Sequence, residues 1–371
     1  MSLIETRLQN WRVSNPEFDR NMARPREYGA LDFFIEQTNA PGSILNQNLI
    51  NRAFESMGNT VQIPVINYDG DVTVANVRSC TISDDENTSA LYTVVWTTLA
   101  VGFTMVPALY MNNEISYDHD FARKMEKVSR ALATELDKLA IAALEANKTE
   151  VLNEQLYYDF TSDVVAVPWN ARMEFLGDME AIMRANNYPR QIHVIGNAGI
   201  DSTILKLAEH DIYNDVNKRL EWANKVFHYT NNMPNEAGKF ATAFLVEDGN
   251  VGLLTRVDRE ALRGTVSNFH EWGVTTLPYI NTPVGYHYYT AVGDQSGIAG
   301  AASADMVCNV KEYFGFSIDA AFVVGYNSAP AVVPNPIIKA EIASPGTANP
   351  FAAPVEVVNG QDNPVYTQAI S

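Results

Sequence analysis

The residues of this chain that could do chemistry come in incomplete sets. Gly238-Lys239 has the ending of a phosphate-cradling loop, but Met233 stands where the loop's first glycine belongs and Phe240 where Ser or Thr is required. A structural lysine in a loop is the better reading. Gly196-Asn197-Ala198-Gly199 falls between an expected strand and an expected helix, yet a dinucleotide site needs three glycines in G-x-G-x-x-G, so these residues read as a turn and a cap. Asp118-His119-Asp120 offers three metal-ligating side chains at a helix start, where neighbours point in different directions and cannot converge on one ion. His270-Glu271 lacks the second histidine of a zinc-binding H-E-x-x-H, and Ser296 is not in a G-x-S-x-G turn. His193, inside an apolar run, reads as a satisfied core histidine. Tyr286-His287-Tyr288-Tyr289 with Asp294 comes nearest to an enzyme site, but alternation along a strand sends successive side chains to opposite sides. No catalytic, cofactor-binding or metal-binding residue is assigned, and no cofactor is expected.

Composition limits what remains. The 371 residues are 46% hydrophobic and 19% charged, a globular balance, and the length suggests two or three compact units. The 26 basic and 44 acidic side chains give a net charge of −18, which disfavours coating nucleic acid through its phosphates. Cys80 and Cys308 have no metal-ligand spacing and read as buried thiols in a reducing compartment. With neither a signal peptide in the first 30 residues nor an apolar run of about 18, the expectation is a cytosolic product without a membrane partner.

The element that organises the chain is residues 116–147. Phe121, Met125, Val128, Leu132, Leu136, Leu139 and Ala143 recur at steps of three and four, the period of one helix face, and no Pro or Gly interrupts them. Ser116 and Asp118 suit the free N–H groups of the first turn, and Asp120 the positive end of the dipole. Arg123, Glu126, Lys127, Arg130, Glu135, Asp137 and Lys138 are expected on the opposite, solvated face. Before this rod, residues 1–59 read as an extended arm with Arg20, Arg24, Arg26, Pro16 and Pro25, followed by short amphipathic pieces at 31–37 and 45–57. From 60 to 110 the period is two, giving long hairpin arms with a turn at 83–89. After the rod come an expected helix at 170–187, a strand at 191–196, a helix at 198–209, and strands at 225–229, 241–247 and 251–257. Residues 282–305 read as packed loops; strands return at 307–314, 316–326 and 331–342; and 344–371 is an extended tail.

This order of parts resembles the major capsid proteins of tailed bacteriophages, the HK97-like fold. The residues that carry the resemblance are 99–149, similar to that family's strand, acidic link and long helix with an Asp in its last third (here Asp137); MEAIMRANNYPRQIHVIGNAG at 179–199; and GFSIDAAFVVGYNSAPAVVPNPIIKAEI at 315–342. The resemblance implies an α+β class with an N-terminal arm at 1–59, an E-loop at 60–113, a peripheral domain with the spine helix at 114–195, an axial domain at 196–305, closing peripheral strands at 306–343 and a tail at 344–371. It also implies a structural protein rather than an enzyme. Such a protein forms an icosahedral head as hexamers and pentamers around packaged double-stranded DNA, without sequence-specific binding. Synthesis would be in the bacterial cytoplasm, the final location the virion capsid, and the partners a separate scaffolding protein, a portal and a decoration protein. An encapsulin-like compartment shares the fold, and an α/β enzyme is the alternative of another class.

Some members of that family weld their shells through an E-loop lysine and a neighbour's asparagine. The corresponding tip here carries Asp84, Asp85 and Glu86 and no lysine, so a non-covalent shell is expected. The acidic tip is expected to meet a basic patch on a neighbour, with Arg20, Arg24, Arg26, Arg256, Arg259 and Arg263 as candidates.

Overall fold

The computed structural model describes residues 27–41, 43–45, 47–55, 60–66, 89–110, 116–150, 152, 158–161, 163–188, 190–208, 221–222, 225–234, 236–258, 261, 270–277, 279–293, 309–325 and 335–345. Within them the class is α+β. The elements in order are α1 (Gly29–Asn39), α2 (Gln47–Glu55), β1 (Thr60–Ile66), β2 (Ser89–Val95), β3 (Thr97–Met105), α3 (Tyr117–Ala146), β4 (Asp159–Thr161), β5 (Val164–Val167), α4 (Arg172–Ala185), β6 (Ile192–Gly196), α5 (Ala198–Ala208), β7 (Glu221–Trp222), β8 (Lys225–Tyr229), β9 (Lys239–Glu247), β10 (Val251–Arg256), β11 (His270–Thr276), β12 (Pro283–Gly293), β13 (Asn309–Val324) and β14 (Ile337–Ala343).

The rod is α3. Its 30 residues span about 45 Å at the helical rise, and Ser116 caps it, its hydroxyl accepting the His119 N–H at 3.2 Å. Phe121, Met125, Val128, Leu132 and Leu136 are buried. Leu139 is only half-buried, and the buried line runs on through Ala133, Asp137, Ala140 and Leu144 instead. The reason is a second neighbour: α1 packs along this side, so α3 buries two stripes rather than one. Glu126 and Asp137, expected on the solvated face, are buried with them.

Two sheets flank the rod. One is antiparallel, in the order β10-β13-β12-β11, with β3 also paired to β13. Its inner face presents Phe314, Phe316 and Ile318 to α3. The other runs β4-β5-β14-β9-β6-β8-β7 and is mixed, β14 with β5 and β6 with β8 being parallel. Helices α4 and α5 cover one of its faces, with Phe175, Leu176, Met179, Ile200 and Ile204. Phe244, Val246, Ile195 and Ile337 face the other way, into the cluster around α1 and α3. Its strands therefore read as near-continuous apolar runs, as doubly covered strands do.

Three expectations are corrected. The arm does not extend to residue 59, because Leu31, Phe33 and Phe34 of α1 are wholly buried in the main cluster; adjacent apolar residues need cover on several sides, and α3, β8 and β10 supply it. Residues 282–305 are not all loop, since β12 pairs with both β11 and β13 over 283–293. Residues 306–343 do not close one unit: β13 lies in the antiparallel sheet as a single strand through Gly315, whereas β14 lies between β5 and β9 in the mixed sheet.

Candidate inter-subunit surfaces

The β1–β2 hairpin stands at the end of the antiparallel sheet. Its register runs from Thr60 opposite Val95 to Ile66 opposite Ser89. β2 continues past Trp96 into β3, so one ribbon of chain serves both hairpin and sheet. The root is buried, with Val94 and Trp96 against Leu49, Ala53, Leu254 and Ala321. On the opposite face of the same strand Leu91 is 62% and Val95 59% exposed. The Arg256 guanidinium lies over the Trp96 ring, 4.6 Å from its centroid, and donates to Asp319 at 2.8 Å. Asp319 also accepts from the Thr98 hydroxyl at 2.6 Å. Arg256 is therefore engaged within its own chain, which corrects its candidacy as a partner of the acidic tip. Asp84, Asp85, Glu86, Arg20, Arg24, Arg26, Arg259, Arg263, Cys80 and Cys308 lie outside the described residues.

Asp137 has a local task. Its Oδ1 accepts the Leu31 N–H at 2.9 Å, at the start of α1, while Oδ2 accepts from the Thr230 hydroxyl and from Asn232 Nδ2 at 2.8 Å. A carboxylate at a helix N-terminus meets free N–H groups and the positive dipole end. Burial pushes the Asp137 carboxyl above its ordinary range, and these hydrogen bonds only partly offset that. The acid thus fastens α1 to the rod.

A second polar cluster joins the far end of the rod to the mixed sheet. Lys339 lies 3.0 Å from Glu145 and 2.9 Å from Glu341, and Lys239 pairs with Glu341 and, at 2.5 Å, with Glu236. The Glu341 carboxylate is fully buried, held by ion contact with both lysines rather than by well-angled hydrogen bonds. Burial works against charge on Lys339, but Glu341 and Glu145 outweigh it and raise its pKa. For Glu145, burial is outweighed by Lys148 and Lys339, and its pKa is lowered. Glu236 is lowered chiefly by its hydrogen bond from Lys239. Sequence reading missed this cluster. Its signal was the pair Lys339 and Glu341 at alternate positions in an otherwise apolar strand. Lys239 itself opens β9 rather than sitting in a loop.

The remaining chemical candidates stay apart. Asp120 accepts from the Tyr110 hydroxyl and pairs with Lys124 at 3.0 Å, while His119 is at the cap. His193 is buried, its Nδ1 3.0 Å from His228 Nε2 and its Nε2 3.2 Å from Gln37 Nε2. Tyr286 donates to Glu271 at 2.9 Å, whereas Tyr288 donates to Glu312 at 3.2 Å, and His287 and Tyr289 lie on the opposite face. Among the described residues no group of three or more His, Cys, Asp or Glu could hold a metal ion, and no helix is long and apolar enough to cross a membrane.

No family model and no curated protein matches the chain. Solved structures similar to it include a protein of Mycobacterium phage Che8, at 11% identity over 80% of this chain and 88% of that one, with a TM-score of 0.46. A cyanophage Pam1 capsid asymmetric unit has the same identity and shares of both chains, with a TM-score of 0.41. The capsid of an empty GTA particle is similar at 12% identity over 91% of this chain and 98% of that one, with a TM-score of 0.43.

Proposed function

We propose that this chain is a shell-forming structural protein, the major capsid protein of a tailed phage, closing around double-stranded DNA as hexamers and pentamers. The observation that carries this reading is the cantilevered β1–β2 hairpin: rooted firmly at Val94 and Trp96, it exposes Leu91 and Val95 to water. Uncovered apolar strand surface is a liability in a lone molecule and an asset when a neighbour covers it. The order of hairpin, long capped helix and two sheets supports the same reading. So does the family resemblance of residues 60–342. Here the spine helix is α3, the E-loop is the part of 60–113 ahead of β3, the antiparallel sheet with α3 is the peripheral part and the mixed sheet with α4 and α5 the axial part. That moves α4 and β4–β6 out of the peripheral span 114–195, and β10–β12 out of the axial span 196–305. In this reading Asp84, Asp85 and Glu86 at the tip, and Arg20, Arg24 and Arg26 in the arm, are inter-subunit contacts. A portal and a decoration protein are further partners.

Negative-stain imaging of the purified chain tests this directly: rings of five or six subunits, or closed shells, are expected. A compact monomer at all concentrations would overturn the reading. With no lysine at the tip, particles should run as single chains on denaturing gels, and covalent ladders would contradict the non-covalent shell.

A further inference from the structure

The outer face of the antiparallel sheet carries side chains in cross-strand rows. In one row His270, Tyr289 and Tyr313 stand side by side: His270 and Tyr289 are 5.7 Å apart and 8° from parallel, and Tyr289 and Tyr313 are 4.5 Å apart and 2° from parallel. The next row begins the same way, with Trp272 on His287 at 4.5 Å and 9°. It then stops, because the next two positions are Gly315 and Gly102.

Two of the three glycines nearby are required by packing. A Cβ on Gly102 would lie 2.6 Å from the Phe314 carbonyl oxygen, and one on Gly285 would lie 2.8 Å from Val257. Gly315 has no such reason, since the nearest atom to a Cβ there is 3.7 Å away. Glycine inside a strand weakens it and often marks a place where something else approaches. The place without a ring lies in a trough of about 510 Å³, lined among others by His287, Trp272, Asp258 and Ala261. Asp258 is the only charged side chain among the described residues that line it. Burial and the neighbouring His270 favour the neutral form of His287, so the ring wall adds no opposing charge.

We propose that this trough is a receptor for an arginine side chain from residues 20–26 of a second copy. The guanidinium would stack on His287 over Gly315 and ion-pair with Asp258. Strands are spaced about 4.8 Å apart, so a flat group over Gly315 takes the third place in the stack, as Tyr313 does in the row beside it. A guanidinium is flat, stacks on rings and pairs with carboxylates, whereas an ammonium does not lie flat. Residues 20–26 hold three arginines within seven positions, beside Pro25, in a chain of net charge −18. The choice of a second copy rests on the shell reading.

The test uses the full-length chain below its assembly concentration and a labelled peptide of residues 16–27, read by fluorescence anisotropy. The peptide should bind at low salt. Binding should weaken at least tenfold to Gly315→Phe, whose own ring fills the slot, and to Asp258→Asn. It should weaken as much when the peptide's three arginines are replaced by lysines. Equal binding of the lysine peptide, undiminished binding to Asp258→Asn, or no binding at all overturns the proposal; the peptide swap and Asp258→Asn decide it even if Gly315→Phe folds poorly. Imaging separates the two readings. Shells formed by Gly315→Phe as readily as by the wild type sink the slot and leave the shell standing. Slot-dependent peptide binding by a chain that never assembles does the reverse.

Discussion

β14 and β3 are both strands of seven to nine residues, yet they meet water in opposite ways. Every residue of β14 is buried, including Lys339 and Glu341, because helices cover both faces of the mixed sheet. β3 alternates, with Thr98, Ala100, Gly102 and Thr104 exposed and Met105 buried, because α3 covers the inner face of the antiparallel sheet while α2 covers the outer face only at its β10–β13 end. The mixed sheet behaves as the frame of the molecule, satisfied within one chain. The antiparallel sheet and its hairpin keep a face in reserve. The difference teaches where to look for function when the described residues bring no catalytic cluster together: at the sheet whose packing is unfinished.

The comparison can be broken at the frame first. Lys339→Met leaves Glu341 buried with Lys239 alone and should lower unfolding stability by about 3–5 kcal/mol, measured by denaturant midpoint; a loss under about 1 kcal/mol would mean the cluster is not part of the frame. Leu136→Ala, at a fully buried position of α3, should cost about 2–5 kcal/mol by the same measurement. Acid sharpens the contrast. Glu145 and Glu236 have lowered pKa values in the fold, so their contribution is present above their unfolded values and is lost as pH falls through the lowered ones. Asp137 is raised and acts in the opposite sense, its protonation favouring the fold as pH falls. Glu145→Gln should therefore flatten the drop in Tm between about pH 5 and pH 3, and an unchanged slope would place acid sensitivity elsewhere. The smallest effect on stability belongs to the hairpin. Leu91→Asp should change monomer unfolding by less than about 0.5 kcal/mol while abolishing association in sedimentation velocity; persistence of association would mean the exposed face is not an interface.

Much of the frame was legible in the sequence, for identifiable reasons. The rod, read as 116–147 and found as Tyr117–Ala146, combines an unbroken period with a serine cap, two local signals that tertiary contacts do not override. β8 and β10 were legible because apolar and β-branched residues end at turn residues. β12 was not, since its tyrosines, glycines and few charges suit a loop as well as an open-faced strand. The continuity of β13 through Gly315 was hidden because glycine reads as a break unless a partner strand holds it. Burial of Asp137 could not be seen either: it depends on α1 and Thr230, about a hundred residues away in either direction. Of the candidate surface, the hairpin was legible and the trough was not. An array of rings assembled from three strands has no signature within any one of them.

Because β2 passes through Trp96 into β3 without a loop, the hairpin is not hung from the body by a swivel. A pull on its outer end travels down a single covalent ribbon into the strand that pairs with β13, and from there to the long helix. A neighbour gripping that limb would hold a lever on the whole subunit, and displacement at the rim would be felt at the centre.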